Sequence, residues 1–356
     1  MASRPLLRFS LRLTAVVIVV LIIAVGSFLA WCTAMEYRPR DSQTLRVERP
    51  PAGSEIHIPG PDDPLTLISF NIGYGGLGQG QDFFMDGGKT VTPTADDVDA
   101  NMTGILEAVA ANPADVYLFQ EVDTASQRSH DVDEAALLRK ALPMNSSFAF
   151  NFRSTFTPYP WPPIGKVNSG LLSMTTLRQP SATRVSLPVP FSWPERLFNL
   201  KRCLLVERID TADDRELVIV NLHLEAYADG EARVVQTEML MDLLEAEYEA
   251  GNYVIAGGDF NQTFPGVDYP RVSDEWQPGV LEEGILPDGW SYANDAGVAT
   301  SRLNDRPWDG TNQIFGIDGY ILSPNVTALE VQTIDLGFDH SDHNPVRLKA
   351  QLGESD

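Results

Sequence analysis

Cysteine is scarce in this sequence, and so is positive charge. Cys32 and Cys203 are the only two cysteines among 356 residues, one in an apolar segment and the other far along the chain. They leave no basis for a disulfide framework or a cysteine-rich zinc site. Against 49 acidic residues stand 26 lysines and arginines, a formal charge of −23, and no basic cluster follows residue 12. A duplex-binding face needs a stripe of cations to neutralise phosphates. Nucleic acid is therefore disfavoured as a partner, although a few local cations and a metal can suffice for it. Internal repeats and long low-complexity tracts are also lacking. At 43% apolar residues a sizeable core is available, so a disordered chain is not expected, and the length suits one large α/β domain.

What is present begins with an address. Residues 1–12 carry Arg4, Arg8 and Arg12 and no acid, and residues 13–34 carry no charge at all. About 20 apolar residues cross a bilayer as a helix, and flanking arginines stay on the cytoplasmic side. The favoured reading is an uncleaved transmembrane anchor at 13–34 with everything after Glu36 outside the cytoplasmic membrane. A cleaved signal peptide ending at Ala34 is an alternative, weakened by an apolar run longer than such signals use. Lipid attachment at Cys32 is another, weakened by Trp31 just before it. Residues 35–64 are rich in proline and charge and read as a linker or irregular lead-in to a domain at 65–352.

Along that domain, strands alternate with helices. "LTLISFNIGYGG" reads as a strand ending at Asn71. A helix follows, capped by Thr94 or Asp96, with Val98, Met102, Ile105 and Val109 at helical spacing, stopped by Asn112-Pro113. "VYLF" is a strand ending at Gln120-Glu121, and residues 168–177 and 202–209 read as a pair of sheet strands around a proline-rich stretch. "ELVIVNLHLEA" ends near Asn221 and His223. The helix at 229–251 presents Ala232, Val235, Met239, Leu240 and Leu243 on one face, with Gly251 as its C-cap. In "YVIAGGDFN" the two glycines stop the strand and let the backbone turn tightly, presenting Asp259 and Asn261. "IFGIDGYILS" and "DHSDHNPVRLKAQL" complete the series.

Each polar residue at these strand ends has an ordinary explanation by itself. Glu121 reads as a solvated loop residue, His223 as an exposed strand residue, Asp318-Gly319 as a hairpin turn, and Asp342 and Asn344 as turn formers before Pro345. Together they suggest one pocket, because loops at strand ends are where rigid sheets present chemistry. His57 and His130 fall outside any motif, His340 has no evident role beside the pocket, and Cys203 reads as core.

The motifs "SFNIG", "FQEVD", "VNLHLEA", "GGDFN", "IDGYIL" and "SDHNPV", in that order, resemble the endonuclease/exonuclease/phosphatase (deoxyribonuclease-I-like) superfamily over roughly residues 65–352. The resemblance implies a four-layered α/β/β/α sandwich, two mixed sheets packed face to face with helices outside. It implies Glu121 as main ligand of a catalytic Mg²⁺, or of Mn²⁺ or another divalent metal, with Asn71 and Asp342 near it. Asp259 would orient or deprotonate the attacking water, and Asn261 would assist at the phosphate. His343 would sit at the scissile phosphate, oriented by Asp318, and His223 would be an acid toward the leaving oxygen. Arg202 and Arg302 are candidate substrate contacts, with ion-paired roles equally open. The chemistry is coherent, since a divalent cation neutralises a phosphodiester that would otherwise repel its nucleophile.

His223 departs from the abasic-site endonuclease pattern, and "GDFN" followed by Gln262-Thr263 departs from that of inositol 5-phosphatases. The expected activity is metal-dependent hydrolysis of a phosphoester outside the membrane, a phospholipid headgroup being one substrate. A nuclease of the same fold and a non-catalytic binding module are the alternatives. No feature points to a protein partner. The proline-rich apolar stretches 156–165 and 187–198 read as packed irregular loops, with lipid contact the other possibility.

Overall fold

The computed structural model describes residues 4–61, 63–227 and 230–353. Residues 1–3 of the basic leader and Asp229, read above as the start of a helix, lie outside the described residues. Two sheets form the centre. One has seven strands in the order Ser42–Leu45, Ser181–Ser186, Cys203–Asp210, Glu216–His223, Tyr253–Asp259, Asp318–Leu322 and Ser291–Ala293. The other has six: Val326–Thr333, Val346–Leu352, Leu65–Asn71, Val116–Asp123, Gly165–Thr175 and Asn145–Thr157. Both are mixed, with one parallel pair in each among antiparallel neighbours.

The period-two alternation of each strand separates two cores. Leu65, Leu67, Val116 and Leu118 of one sheet meet Leu217, Ile219, Tyr253, Ile255, Tyr320 and Leu322 of the other in a shared interior. The opposite faces are covered by helices. Ile68, Phe70, Tyr117 and Phe119 pack under α2 (Ala95–Ala111) and α3 (Glu134–Ala141). Val218, Val220, Val254 and Ala256 pack under α4 (Gly230–Glu249). Helix, sheet, sheet and helix make the four layers that the motifs imply. Thr94 caps α2 in a reciprocal box with Asp97, two residues that satisfy each other's backbone donors.

Several local expectations are corrected. The strands at 168–177 and 202–209 do not pair but lie in different sheets; the partner of Cys203–Asp210 is Ser181–Ser186, hidden in the proline-rich stretch. The buried face of α4 is Gln236, Thr237, Leu240, Met241 and Leu244, while Val235 is exposed. The helix is apolar over much of its surface, so spacing alone did not select the face. Gly257 and Gly258 do not stop their strand, which runs through both to Asp259. They are there for close approach: a Cβ on Gly258 would lie 2.0 Å from the Leu222 carbonyl oxygen, and one on Gly257 2.4 Å from the Tyr320 ring. The lead-in lies on the domain, with Ser42–Leu45 adding an edge strand to the larger sheet.

Before the domain, α1 (Arg4–Ala34) contains a long apolar stretch, Phe9–Ala34. It is long and apolar enough to cross a membrane.

Gly258→Ala should lower the stability of the full chain by about 1–3 kcal/mol, the usual cost of overpacking, read as a fall in Tm. Gly80→Ala, where an added Cβ meets nothing within 4 Å, should leave Tm unchanged. Equal behaviour of the two would refute the close-approach explanation.

Candidate active site

Strand register assembles the site. His223 lies beside Asp259 in a parallel pair, and Asp259 lies opposite Asp318 in an antiparallel pair. The three side chains therefore form a row across three adjacent strands of one sheet. All three continue the inward-facing alternation of the core, so they emerge where the apolar interior ends. In the other sheet Asn71 pairs with Gln120 and also faces inward. Glu121 follows Gln120, and simple alternation would turn it toward the helices. Instead the ladder slips between Phe119 and Val122, and Glu121 takes a φ of +55°. This bulge re-aims its carboxylate into the site. The segment before Val346–Leu352 adds Ser341, Asp342 and His343.

The side chains are interlocked. Asn71 Nδ2 donates to Asp259 Oδ2 at 3.0 Å and to Glu121 Oε1 at 3.3 Å, bridging the two sheets. Its carbonyl oxygen is turned away and accepts from the Gly73 N–H at 3.1 Å. Asp259 Oδ1 accepts from the backbone N–H of Asn261 at 2.8 Å, and Oδ2 lies 3.5 Å from His223 Nε2. Asn261 has a φ of +50° and its amide donates to the Leu224 carbonyl. His343 Nδ1 is 2.8 Å from Asp318 Oδ2, while its Nε2 lies 3.3 Å from Ser301 Oγ and 3.8 Å from Asp259. Asp342 Oδ2 accepts from Asn304 Nδ2 at 2.6 Å.

Burial makes these charges consequential. It works against a charged His343, but Asp318, with Asp342 and Asp259, overcomes it and raises the imidazole to about 10. His343 is thus a cation whose Nδ1–H is held by Asp318 and whose Nε2–H is free to donate. His223 goes the other way: burial, then the nearby charges of Arg202 and His343, hold it neutral. Asp259 is pushed well above the usual carboxylate range by burial and by Asp318, against the pull of His343. Glu121 is also raised, by burial first; Arg128 opposes this and Asp342 adds to it.

Among the sequence candidates, Glu121, His223, Asp259, Asn261, Asp342 and His343 line one cavity of about 310 Å³. Asn71 and Asp318 support it from behind. Arg202 and Arg302 also line it; the Arg202 guanidinium is engaged by the protein, whereas Nε and Nη1 of Arg302 are buried without a hydrogen-bond partner among the described residues. Arg202 pairs with Glu225 at 3.2 Å and donates to the His223 carbonyl; Arg302 donates to the carbonyls of Leu77, Gly78 and Gln81. The sequence reading missed Arg128, Asp86, Tyr227 and Asn304, which line the same cavity. Arg128 forks onto Asp123 with bonds of 2.9 and 3.0 Å and lies 3.7 Å above the Tyr74 ring. Asp86 accepts from Tyr227 and Asn304 and is raised to about 6, by burial first and then by Asp342. None of the four falls in a motif, so only the fold could reveal them.

Two groups of residues could hold a divalent cation. Asp259, Asp318 and His343 place ligand atoms within 4.8 Å of one another. That trio is held by the ion pair between His343 and Asp318 and by the donors on Asp259, while Asp318 Oδ1 has no hydrogen-bond partner among the described residues. Glu121 and Asp342 are different: two carboxylates face one cavity, and burial and then Asp342 make Glu121 harder to ionise, with Arg128 the cation that opposes this. Beside them the buried Asn304 Oδ1 has no hydrogen-bond partner among the described residues. Hard oxygens with excess negative charge suit Mg²⁺.

A model of the Endonuclease/Exonuclease/phosphatase family matches residues 68–343. Among solved structures, the endonuclease/exonuclease/phosphatase from Beutenbergia cavernae DSM 12333 superposes with a TM-score of 0.55 at 18% identity, over 82% of this chain and 72% of that one. A family protein from Leptotrichia buccalis C-1013-b gives 0.53 at 14%, over 81% and 100%. ANGEL2, a 2′,3′-cyclic phosphatase, gives 0.52 at 14%, over 87% and 98%. At such identities the likeness is one of fold. No curated protein matches the sequence.

If Asp318 keeps His343 cationic, Asp318→Asn should bring the His343 pKa from about 10 down toward the ordinary imidazole value of about 6.5. Titration of the ring by NMR reads this directly, and an unchanged value would refute the pairing.

Proposed function

The chain belongs to the endonuclease/exonuclease/phosphatase family, whose members are phosphoester hydrolases, and on that premise we propose that it is a Mg²⁺-dependent phosphodiesterase or phosphatase. We further propose that α1 anchors it in the membrane with the domain at 65–352 on the extracytoplasmic side. The observation that carries the catalytic reading is geometric: a carboxylate, Asp259, lies 3.5 Å from His223 and 3.8 Å from His343, and Asp318 holds the other nitrogen of His343 at 2.8 Å.

In this reading Glu121 and Asp342 hold the cation, with Asn71 fixing Glu121 through its amide rather than offering its own oxygen. The bound metal supplies charge neutralisation at the phosphoryl oxygens. Asp259 accepts the proton of the attacking water; its raised affinity for protons makes it a better base than an ordinary aspartate. Asn261 holds Asp259 in place through its backbone N–H. His343 Nε2–H donates to a non-bridging phosphoryl oxygen, where negative charge accumulates, and Asp318 fixes the ring for that task. As the new P–O bond forms and the bond to the leaving oxygen breaks, the proton taken by Asp259 returns through solvent to the leaving alkoxide. A neutral His223 beside Arg202 is a poor proton donor, so we assign it a hydrogen bond to the substrate instead of the acid role its motif implies.

The anchor favours a phospholipid headgroup as substrate, and the charge of −23 disfavours nucleic acid. Bis-p-nitrophenyl phosphate, phospholipid and plasmid DNA, assayed side by side, separate these classes. Hydrolysis should require Mg²⁺ and stop with EDTA. Asp259→Asn should lower kcat by about 10²–10⁴, the usual contribution of a positioned base, with an unchanged circular dichroism spectrum. Full activity of the folded variant would remove Asp259 from the mechanism.

A further inference from the structure

The catalytic residues occupy only part of their cavity. Much of the remaining lining is apolar, and part of it comes from the two proline-rich loops: Tyr159 and Ile164 from one, Phe191 and Phe198 from the other, with Leu200 just after it. These loops also hold the end of α1. Phe28 stacks on Phe198, with ring centroids 6.3 Å apart and planes within 10°, and meets Phe156 edge-on at 6.1 Å. Trp193 Nε1 donates to Thr33 Oγ1 at 3.1 Å. Just past the helix, the buried Glu36 carboxylate pairs with Arg38, Arg196 and Lys201 at 2.9, 3.2 and 3.7 Å. Phe198 is therefore at once a wall of the cavity and a contact of the anchor.

The depth of this junction follows from helix geometry. At about 1.5 Å per residue, residues 13–34 reach about 33 Å, against a hydrocarbon core of about 30 Å. With the arginines on the cytoplasmic side, Trp31 and the residues after it stand at the opposite headgroup layer. The loops fastened there expose Tyr159, Trp161, Val189 and Trp193, and Trp161 is 87% exposed. Exposed indole and phenol rings are costly in water and favoured at the membrane interface. The basic residues at this junction, Arg38, Arg196 and Lys201, are paired with Glu36, and the domain is strongly acidic, so attraction to anionic lipid does not explain it.

We propose that the loops at 156–164 and 187–198 dock on the headgroup layer as a continuation of the anchor. We propose also that the cavity they wall takes a membrane lipid, its phosphoester reaching Asp259 and His343 and its apolar part lying against Phe191 and Phe198. This rests on the hydrolase and topology reading above and names its substrate class. Fastening α1 to the loops fixes the orientation of the cavity relative to the bilayer, so the substrate arrives by lateral diffusion.

The test uses the full chain in vesicles of phosphatidylcholine, phosphatidylethanolamine, phosphatidylglycerol and phosphatidylinositol in equal parts. Some of the phosphatidylcholine is brominated near the headgroup to quench tryptophan fluorescence. The comparison is wild type against the double variant Trp161→Ser/Val189→Ser, two exposed positions outside the cavity lining. In the variant, release of phosphorylated headgroup or phosphate should fall by about tenfold and quenching should weaken. EDTA-sensitive hydrolysis of soluble bis-p-nitrophenyl phosphate should be unchanged. Unaltered quenching, or an equal loss on both substrates, would overturn the docking surface. Hydrolysis of the soluble ester with no release from any vesicle lipid would overturn the lipid assignment and leave the hydrolase reading standing. No EDTA-sensitive hydrolysis of the soluble ester would instead overturn that earlier reading, and the quenching result would still judge the docking.

Discussion

The site depends on the two sheets being held in one register, and a buried pair of amides does this. Gln120 Nε2 donates to Asn221 Oδ1 at 2.8 Å across the interior. Asn221 in turn donates to the carbonyls of Phe119 and Leu172 and to Ser173. Apolar packing between sheets is non-directional and tolerates sliding. An amide pair buried without water does not, because a slip would leave donors and acceptors unsatisfied at about 1–3 kcal/mol each. Gln120 and Asn221 stand just below the catalytic layer. Glu121 follows one, and His223 lies two residues beyond the other. The sheets contribute different parts, Asn71 and Glu121 from one and His223, Asp259 and Asp318 from the other, so a shift between them would pull the two walls of the site apart.

Above this clamp the site is organised by charges that cannot all be ionised without help. Asp259 and Asp318 face each other across a strand pair, an arrangement that is unfavourable for two carboxylates. His343 resolves it by sitting against both and carrying the compensating charge. Glu121 and Asp342 have no equivalent side chain between them, since Arg128 is committed to Asp123. The fold thus compensates one acidic pair with a side chain of its own and leaves the other facing the cavity.

Much of this was legible in the linear sequence because it depends on short-range rules. The uncharged run at 13–34, the Thr94 cap with its helical spacing, and the strands ending at Asn71 and His223 follow from hydropathy, capping and alternation, which are properties of neighbouring residues. Six short motifs in order were enough to indicate the family and the four layers. Other elements were hidden. The strand Asn145–Thr157 was missed, and Ser181–Ser186 was masked by surrounding prolines; their pairing is decided by partners distant in the chain.

The sequence by itself determined which side chains were available for chemistry, where the long apolar run lies, and the order in which strands deliver their polar ends. Only the tertiary structure decided what those side chains are. Glu121 faces the site because of a bulge, which no local pattern announces. His343 and His223, the same residue type and both buried, are pushed in opposite directions: burial and then Arg202 lower His223, while Asp318 outweighs burial at His343. Gly257 and Gly258 serve close packing rather than a turn because Leu222 and Tyr320 come within reach only in the folded sheets. In each case the physical reason is the same. Protonation, aim and steric room are set by groups brought together through space, and in this chain those groups lie tens to hundreds of residues apart.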